Sequence, residues 1–436
     1  MSDPVRRAAL SLLCEVESGH ALEPLLEAAT QERGTDARDM RFLRQLCSGV
    51  LKWSRRLDWV VDGYASRPVE SLSPAVRQIL RLATYQILHL DRVPARAAVH
   101  SAVELTKMHE RGATGFVNAV LRRIAHSDGD ADTLPDPQSD RVRYLGVLHS
   151  HPDWLVRRWR LRWGECAAIR LLEANNETPS LFVRENILQG MTAGDLGVEA
   201  PPMADHAGVH RVNSPEGFFA TQAFVEGRCY VQDVNAGIAA QLLEPQPGEN
   251  ILDLCAAPGG KSANLAAMTR DTANIVACDW SPTRLRRMKD NLRRLGIRRV
   301  HLVVEDGVSP ACREALFDRA LVDVPCSGTG VLGRRPDARW RKAETDLPAH
   351  AHRQLQLLEC AYVRVRPGGI IVYSTCSLEE EENDAVVDRF LARHSKARLE
   401  PASRWFPGRA WAGRSVQTLP GREVGDGSFA ARLRKE

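Results

Sequence analysis

Five short apolar segments recur after residue 250, most of them with a helical pattern behind them: ILDLCAA at 251–257, NIVACD at 274–279, RRVHLVVED at 298–306, DRALVDV at 318–324 and GGIIVYS at 368–374. A strand must be almost continuously apolar when both its faces are covered, and parallel strands joined by crossover helices are covered in that way. The carboxyl-terminal third is therefore expected to be a doubly wound α/β domain that binds its ligand along the carboxyl edge of the sheet.

The remainder of the 436 residues reads differently. Residues 4–126 are helical throughout, with apolar positions at three- and four-residue spacing in VRQILRLATYQILHL and GATGFVNAVLRRIAH. The stretch SDGDADTLPDPQSD then mixes acids, glycine and prolines and marks a linker. Beyond it, 150–175 is helical and 180–235 carries short strand-like pieces between glycine and proline turns. The predicted organisation is a helical domain at 1–126, a linker at 127–145, a small intermediate subdomain at 146–236 and a catalytic domain at 237–436.

Composition narrows the function classes. Hydrophobic residues form 44% of the chain and charged residues 26%, and no apolar run reaches the length of a membrane span. Acidic residues stand near the amino terminus where a signal peptide has none, so a cytoplasmic protein is expected. Ten cysteines at 14, 47, 166, 229, 255, 278, 312, 326, 360 and 376 include no CxxC pair, which suggests neither a disulfide framework nor a metal site. The net charge of +4 is modest, but Arg157, Arg158, Arg160 and Arg162 cluster, as do Arg284, Arg286, Arg287, Lys289, Arg293, Arg294, Arg298 and Arg299. Such clusters suit a phosphate backbone as well as a solvated helix face.

The first of the five segments runs through Asp253 into Ala256, Pro258, Gly259, Gly260 and Lys261, and then a helix. Glycines at this turn let backbone approach a ligand, while the absence of GxGxxG and GxxxxGK[ST] disfavours a dinucleotide fold or a phosphate-binding loop. Asp253 suits the amino group of a methionine moiety, Asp279 the two hydroxyls of a ribose, and Asp306 an adenine amine. Acids at three successive strand ends describe an adenosine-containing ligand. The fourth and fifth segments end in Asp323-Val-Pro325-Cys326 and Ser374-Thr375-Cys376, which places two thiols at neighbouring strand ends. Methylation at carbon 5 of a pyrimidine needs such a thiol, because addition to carbon 6 makes carbon 5 nucleophilic. Asp323 can hydrogen-bond the cytosine edge and help carry the charge that develops. The residues alone leave open which thiol attacks and which assists release.

LDLCAAPGGK, DVPCSGTG and STCS resemble the Sun/Fmu family of bacterial cytosine methyltransferases, and residues 4–126, with LRLATYQILHLDRVP and GFVNAVLRRI, resemble the helical RNA-binding domain of the antitermination factor NusB. The resemblance covers nearly the whole chain. It implies a Rossmann-like class I methyltransferase domain behind an all-α NusB-like domain, S-adenosylmethionine as cofactor, 16S ribosomal RNA as partner, and 5-methylcytosine as product. It makes Cys376 the nucleophile, Cys326 the residue that assists release, and Asp323 the carboxylate beside the target base. It assigns Asp253, Ala256, Pro258, Gly259, Gly260, Lys261, Asp279, Asp306 and Asp323 to the cofactor side. Arg335, Pro336 and Trp340 fall in the segment that follows the first cysteine, and Glu382-Asn383 are expected to continue a helix after Cys376. His100-Ser101, Asn235 and Ser428 depart from the usual pattern. A monomer without an obligate protein partner is expected. A transfer-RNA cytosine methyltransferase and a noncatalytic NusB-like RNA-binding factor are the alternative readings.

Overall fold

The computed structural model describes residues 3–33, 36–127, 134–190, 196, 199, 203, 206–213, 215, 217–308 and 314–436. The chain forms two compact units, one of residues 1–177 with 332–343, the other of 178–331 with 344–436.

The first unit is helical. Its amino-terminal part comprises Pro4–Glu17, Leu22–Arg33, Ala37–Tyr64, Pro74–His89, Ala95–His109 and Thr114–His126. Caps fix where these helices begin: Asp3 accepts from the amides of Val5 and Arg6, and Ser73 from that of Val76 with Pro74 in the first turn. The apolar stripes converge on one core that includes Leu13, Leu46, Val50, Ile79, Val117 and Leu121. Gly49 makes room within it for the Tyr85 ring, since a Cβ there would lie 2.0 Å from that ring.

Of the expected linker 127–145, residues 128–133 lie outside the described residues, and its last five positions are helical. Asp140 caps a helix over Arg141–Leu148 by accepting from the Arg143 amide at 2.9 Å. Two further helices, Asp153–Trp163 and Glu165–Ala174, complete this part of the first unit. The stretch 146–236 is thus shared between the units, its helices up to Ala174 with the first and its strands, with the short helix Gln222–Val225, with the second. Residues 332–343 also depart from a continuous domain at 237–436, because they return to the first unit. There Arg339 is buried and donates to the carbonyls of Lys52 at 2.9 Å, Ser150 at 2.8 Å and Asn175 at 3.2 Å, and to Asn176 Oδ1 at 2.9 Å. Trp340 Nε1 donates to the Leu51 carbonyl at 2.6 Å.

The second unit opens with a three-stranded antiparallel sheet of β1 (Leu181–Glu185), β2 (Val209–Val212) and β3 (Cys229–Val231), ordered β2-β1-β3. Its main sheet contains β4 (Asn250–Leu254), β5 (Asn274–Asp279), β6 (Val300–Val304), β7 (Phe317–Asp323), β8 (Val365–Thr375), β9 (Ala397–Glu400), β10 (Val416–Thr418) and β11 (Ser428–Lys435). The order is β10-β11-β8-β7-β4-β5-β6, with β9 also on β11. β4 to β8 are parallel, and β11 joins β8 antiparallel. The continuous apolar reading of these strands has its cause in two cores: Ile251, Leu321 and Val372 face one, and their neighbours Leu252, Val322 and Tyr373 the other. The strand order reverses between β4 and β7, so a crevice opens at their carboxyl ends. Among the described residues, no helix is long and apolar enough to cross a membrane.

Candidate active site

β7 ends at Asp323 and β8 at Thr375, and the parallel register pairs Asp323 with Ser374. The chain then carries both cysteines out of the sheet at the same level. Cys326 Sγ lies 3.2 Å from Cys376 Sγ. The loop after Cys326 is pinned to the other strand end, because the Gly330 amide donates to the Cys376 carbonyl at 2.9 Å and the Gly427 amide to the Gly330 carbonyl at 2.8 Å. Only glycine fits at 330, where a Cβ would meet Gly427 O at 2.6 Å and Cys376 O at 2.8 Å. The Cys326 thiol is held well above its ordinary pKa, first by its hydrogen bond with Cys376, then by burial and by the charge of Cys376.

Asp323 stands beside the thiols. Its Oδ2 accepts from Lys261 Nζ at 2.7 Å and its Oδ1 from Ser374 Oγ at 2.6 Å. Burial works to lower the pKa of Lys261, but the charge and hydrogen bond of Asp323 outweigh it and raise the value above that of a free lysine. A small cavity of about 60 Å³ brings Lys261, Ser374 and Cys376 together. Asn235, one of the departures from the usual pattern, helps close its wall by donating to the carbonyls of Val424 at 2.8 Å and Asp426 at 2.7 Å.

A second cavity of about 260 Å³ opens at the ends of β4, β5 and β6 and is lined by Cys255, Asp279, Trp280, Asp306, Pro325 and Arg353 among others. Asp279 orders the glycine turn as well as facing the cavity, since its Oδ2 accepts from the Ala257 amide at 3.1 Å and its Oδ1 from the Ser281 amide at 3.0 Å. Asp306 is half-exposed, pairs with Arg353 and accepts from the Val308 amide at 3.2 Å. Two acids at neighbouring strand ends, an exposed Trp280 and the adjoining glycine turn suit a ribose and an adenine. Gly259 holds the turn at φ +99, with Met288 packed where a side chain would be.

The expected cofactor residues are not all alike in place. Asp279 and Asp306 line the larger cavity, whereas Lys261 reaches the smaller one. Ala256, Pro258, Gly259 and Gly260 form the turn itself and lie outside both linings. Asp253 is fully buried beneath the turn, accepts from Ser262 Oγ, and leaves its other oxygen without a partner among the described atoms. Burial first, and the charges of Asp323 and Asp279 after it, push its carboxyl up to about 7, although Ser262 and Lys261 act the other way. Of the basic cluster at 284–299, Arg284 turns inward, 3.3 Å from Asp279 and bonded to the Ala257 carbonyl.

Sequence reasoning missed Cys255, Trp280, Arg353 and Ser374 around these cavities, and it misread Glu382. Residues Glu380–Glu382 form a single 3-10 turn, and the helix begins only at Asp384. The strand-end positions of Trp280 and Ser374 were the available signal for those two.

Known proteins share this architecture. The model of the 16S rRNA methyltransferase RsmB/F family matches residues 240–434, that of the NusB family 3–126, and that of the ferredoxin-like domain of RsmF/B-like methyltransferases 151–194. Ribosomal RNA small subunit methyltransferase B of Salmonella paratyphi B is 36% identical over 97% of this chain and 96% of its own. The protein of the same name from Salmonella typhi is 35% identical over 98% of both. Among solved structures, PH0851 aligns over 100% of both chains with a TM-score of 0.83 and 27% identity. A methyltransferase homologue from Pyrococcus horikoshii aligns over 68% of this chain and 99% of its own with a TM-score of 0.58 and 28% identity.

Proposed function

The chain belongs to the 16S rRNA methyltransferase RsmB/F family, and from that premise we propose that it methylates carbon 5 of a cytosine in small-subunit ribosomal RNA through a covalent adduct with Cys376. The observation that carries this reading is the thiol pair at 3.2 Å beside an Asp323 held by Lys261 and Ser374. S-adenosylmethionine supplies the methyl group. Asp279 and Asp306 would take its ribose and adenine in the larger cavity, which opens toward Pro325 and hence toward the Cys326 loop.

The residues of this chain divide the work on the base. Deprotonated Cys376 adds to carbon 6, and the electron pair of the carbon 5–carbon 6 bond shifts toward carbon 5, which accepts the methyl group. Asp323, fixed from two sides, accepts hydrogen bonds from the exocyclic amine and from a protonated ring nitrogen, so that addition of the thiolate leaves the ring neutral rather than anionic. Once the Cys376 sulfur is bonded to carbon 6 it is no longer an anion. Two causes that hold the Cys326 thiol protonated, the hydrogen bond and the charge of Cys376, then fall away. Cys326 then gives up its own proton to solvent more readily, and the resulting thiolate takes the proton of carbon 5. The carbon 5–carbon 6 bond re-forms and Cys376 leaves as thiolate.

The target is tested by bisulfite maps of small-subunit ribosomal RNA and transfer RNA from cells with and without the protein. Loss of methylation at a ribosomal cytosine is expected. Loss confined to transfer RNA would overturn the ribosomal assignment, and no loss in either would overturn the carbon 5 chemistry.

A further inference from the structure

Glu382 has no exposed surface and no cationic partner among the ion pairs of the described residues, yet four hydrogen bonds converge on its carboxylate. Oε1 accepts from the Ser327 amide at 2.8 Å and from Gln354 Nε2 at 2.9 Å, and Oε2 accepts from the hydroxyls of Ser327 and Ser377. Ser327 follows Cys326 and Ser377 follows Cys376, so one carboxylate joins the residues next to both thiols. Gln354 extends the grip, because the same Nε2 also donates to the Pro325 carbonyl at 3.0 Å and thereby reaches the other side of Cys326. Tyr373, on the strand that leads to Cys376, donates its hydroxyl to the Glu382 carbonyl.

A buried carboxylate with four donors is stable only where all four remain in place, which makes it a fixed reference point for whatever carries them. The donors are not evenly shared. Three of the four come from Ser327 and from Gln354, which hold the Cys326 loop, and one comes from Ser377. The Cys376 side has other supports: the β8 ladder, and Asn383, which accepts from Thr375 Oγ1 at 2.7 Å and donates to the Ser377 carbonyl at 2.9 Å. The Cys326 loop beyond β7 has no such ladder at Pro325–Gly328.

We propose that Glu382 is a positioning residue of the two-cysteine site, a clasp that keeps Cys326 in register with Cys376 so that the RNA adduct is released. This rests on the covalent reading given above.

The test compares wild type, Cys326→Ala, Glu382→Gln and Ser327→Ala, each as the full chain with small-subunit ribosomal RNA and S-adenosylmethionine. Methyl transfer is followed in solution, and RNA-bound protein on a denaturing gel. Glu382→Gln keeps shape but replaces two acceptor positions by a donor group. It is expected to bind S-adenosylmethionine and RNA within about twofold of wild type and to lose turnover by about tenfold to a hundredfold, as a misplacement near 1 Å does. The lost turnover should appear as adduct that accumulates in the manner of Cys326→Ala. Ser327→Ala, which removes the hydroxyl's bonds to Glu382 and Ser377 and keeps the amide bond, should show the same effect more weakly. Wild-type release by Glu382→Gln, or methylation lost without any adduct, would overturn the proposal while Cys326→Ala still traps RNA. If Glu382→Gln fails to bind S-adenosylmethionine, wild-type release by Ser327→Ala overturns it instead. If Cys326→Ala traps nothing, the covalent reading itself has failed.

Discussion

The Sγ atoms of Cys326 and Cys376 are 3.2 Å apart although fifty residues separate them in the chain. At that distance one thiol modulates the ionisation of the other, and removing either changes more than one step. Cys376→Ala is expected to abolish methyl transfer and to leave no RNA-bound protein on a denaturing gel. Cys326→Ala should still attack and methylate, but an adduct should persist, because a sulfur–carbon bond survives denaturation whereas phosphate contacts do not. A persistent band with Cys376→Ala and none with Cys326→Ala would reverse the two roles.

Gly330→Ala tests the backbone clasp between the two loops. The added Cβ would meet two carbonyl oxygens, Gly427 O at 2.6 Å and Cys376 O at 2.8 Å, and neither is the free end of a flexible side chain. Relief requires the Cys376 carbonyl or the 424–427 loop to move. A cost of about 1–3 kcal/mol is expected for overpacking of this kind. Thermal unfolding should show the loss, and the methyl-transfer rate should fall more than stability alone explains, since the displaced carbonyl belongs to Cys376. An unchanged rate would show that the loop tolerates the shift.

Much of this site was legible before any coordinates because its residues sit at strand ends. Asp279, Asp306, Asp323 and Cys376 each close a run that is apolar for a physical reason, and the end of such a run can be seen in a sequence. Glu382 could not be seen that way. It is the last of four consecutive glutamates, 379–382, a pattern that reads as solvated, and only tertiary contacts distinguish the buried Glu382 from the exposed Glu380. The antiparallel β11 was hidden by composition, since FAARLRK favours a helix. Pairing with β8 overrides that preference, and Arg432 is buried within the strand through Glu400 Oε2 at 2.7 Å and the Leu242 carbonyl at 2.6 Å. Residues 332–343 follow the Cys326 loop directly, so nothing local signalled that they fold with the helical unit.

Asp253 predicts a pH dependence of stability. Its carboxyl is raised to about 7 in the folded chain, mainly by burial, and one oxygen has no partner among the described atoms. A raised carboxyl favours the folded state while protonated. Its contribution is therefore full below the unfolded value near 4 and is lost as the pH rises through about 7. Asp253→Asn keeps an acceptor for Ser262 and cannot ionise. Urea unfolding without S-adenosylmethionine should show the variant gaining on wild type between pH 4 and 7, by on the order of 2–4 kcal/mol. A constant difference across that window would mean that Asp253 is ionised in the folded protein at low pH as well.

Arg339 gives the sharpest prediction for the helical unit. Its guanidinium is fully buried, makes four hydrogen bonds, three of them to main-chain carbonyls, and has its pKa lowered to about 9 by burial. Arg339→Ala would leave the carbonyls of Lys52, Ser150 and Asn175 without this donor and open space where the side chain stood. Each unsatisfied buried acceptor costs about 1–3 kcal/mol before relaxation or water entry, so a total loss of roughly 3 kcal/mol or more is expected. Arg339→Lys should recover only part of it, because one ammonium cannot span acceptors arranged around a planar fork. Two observations would check this together: a lower urea midpoint for the helical unit, followed through Trp340 and its neighbours, and new proteolytic cleavage within 332–343. Wild-type resistance to both in Arg339→Ala would show that the segment is held by Trp340 and its bond to the Leu51 carbonyl instead.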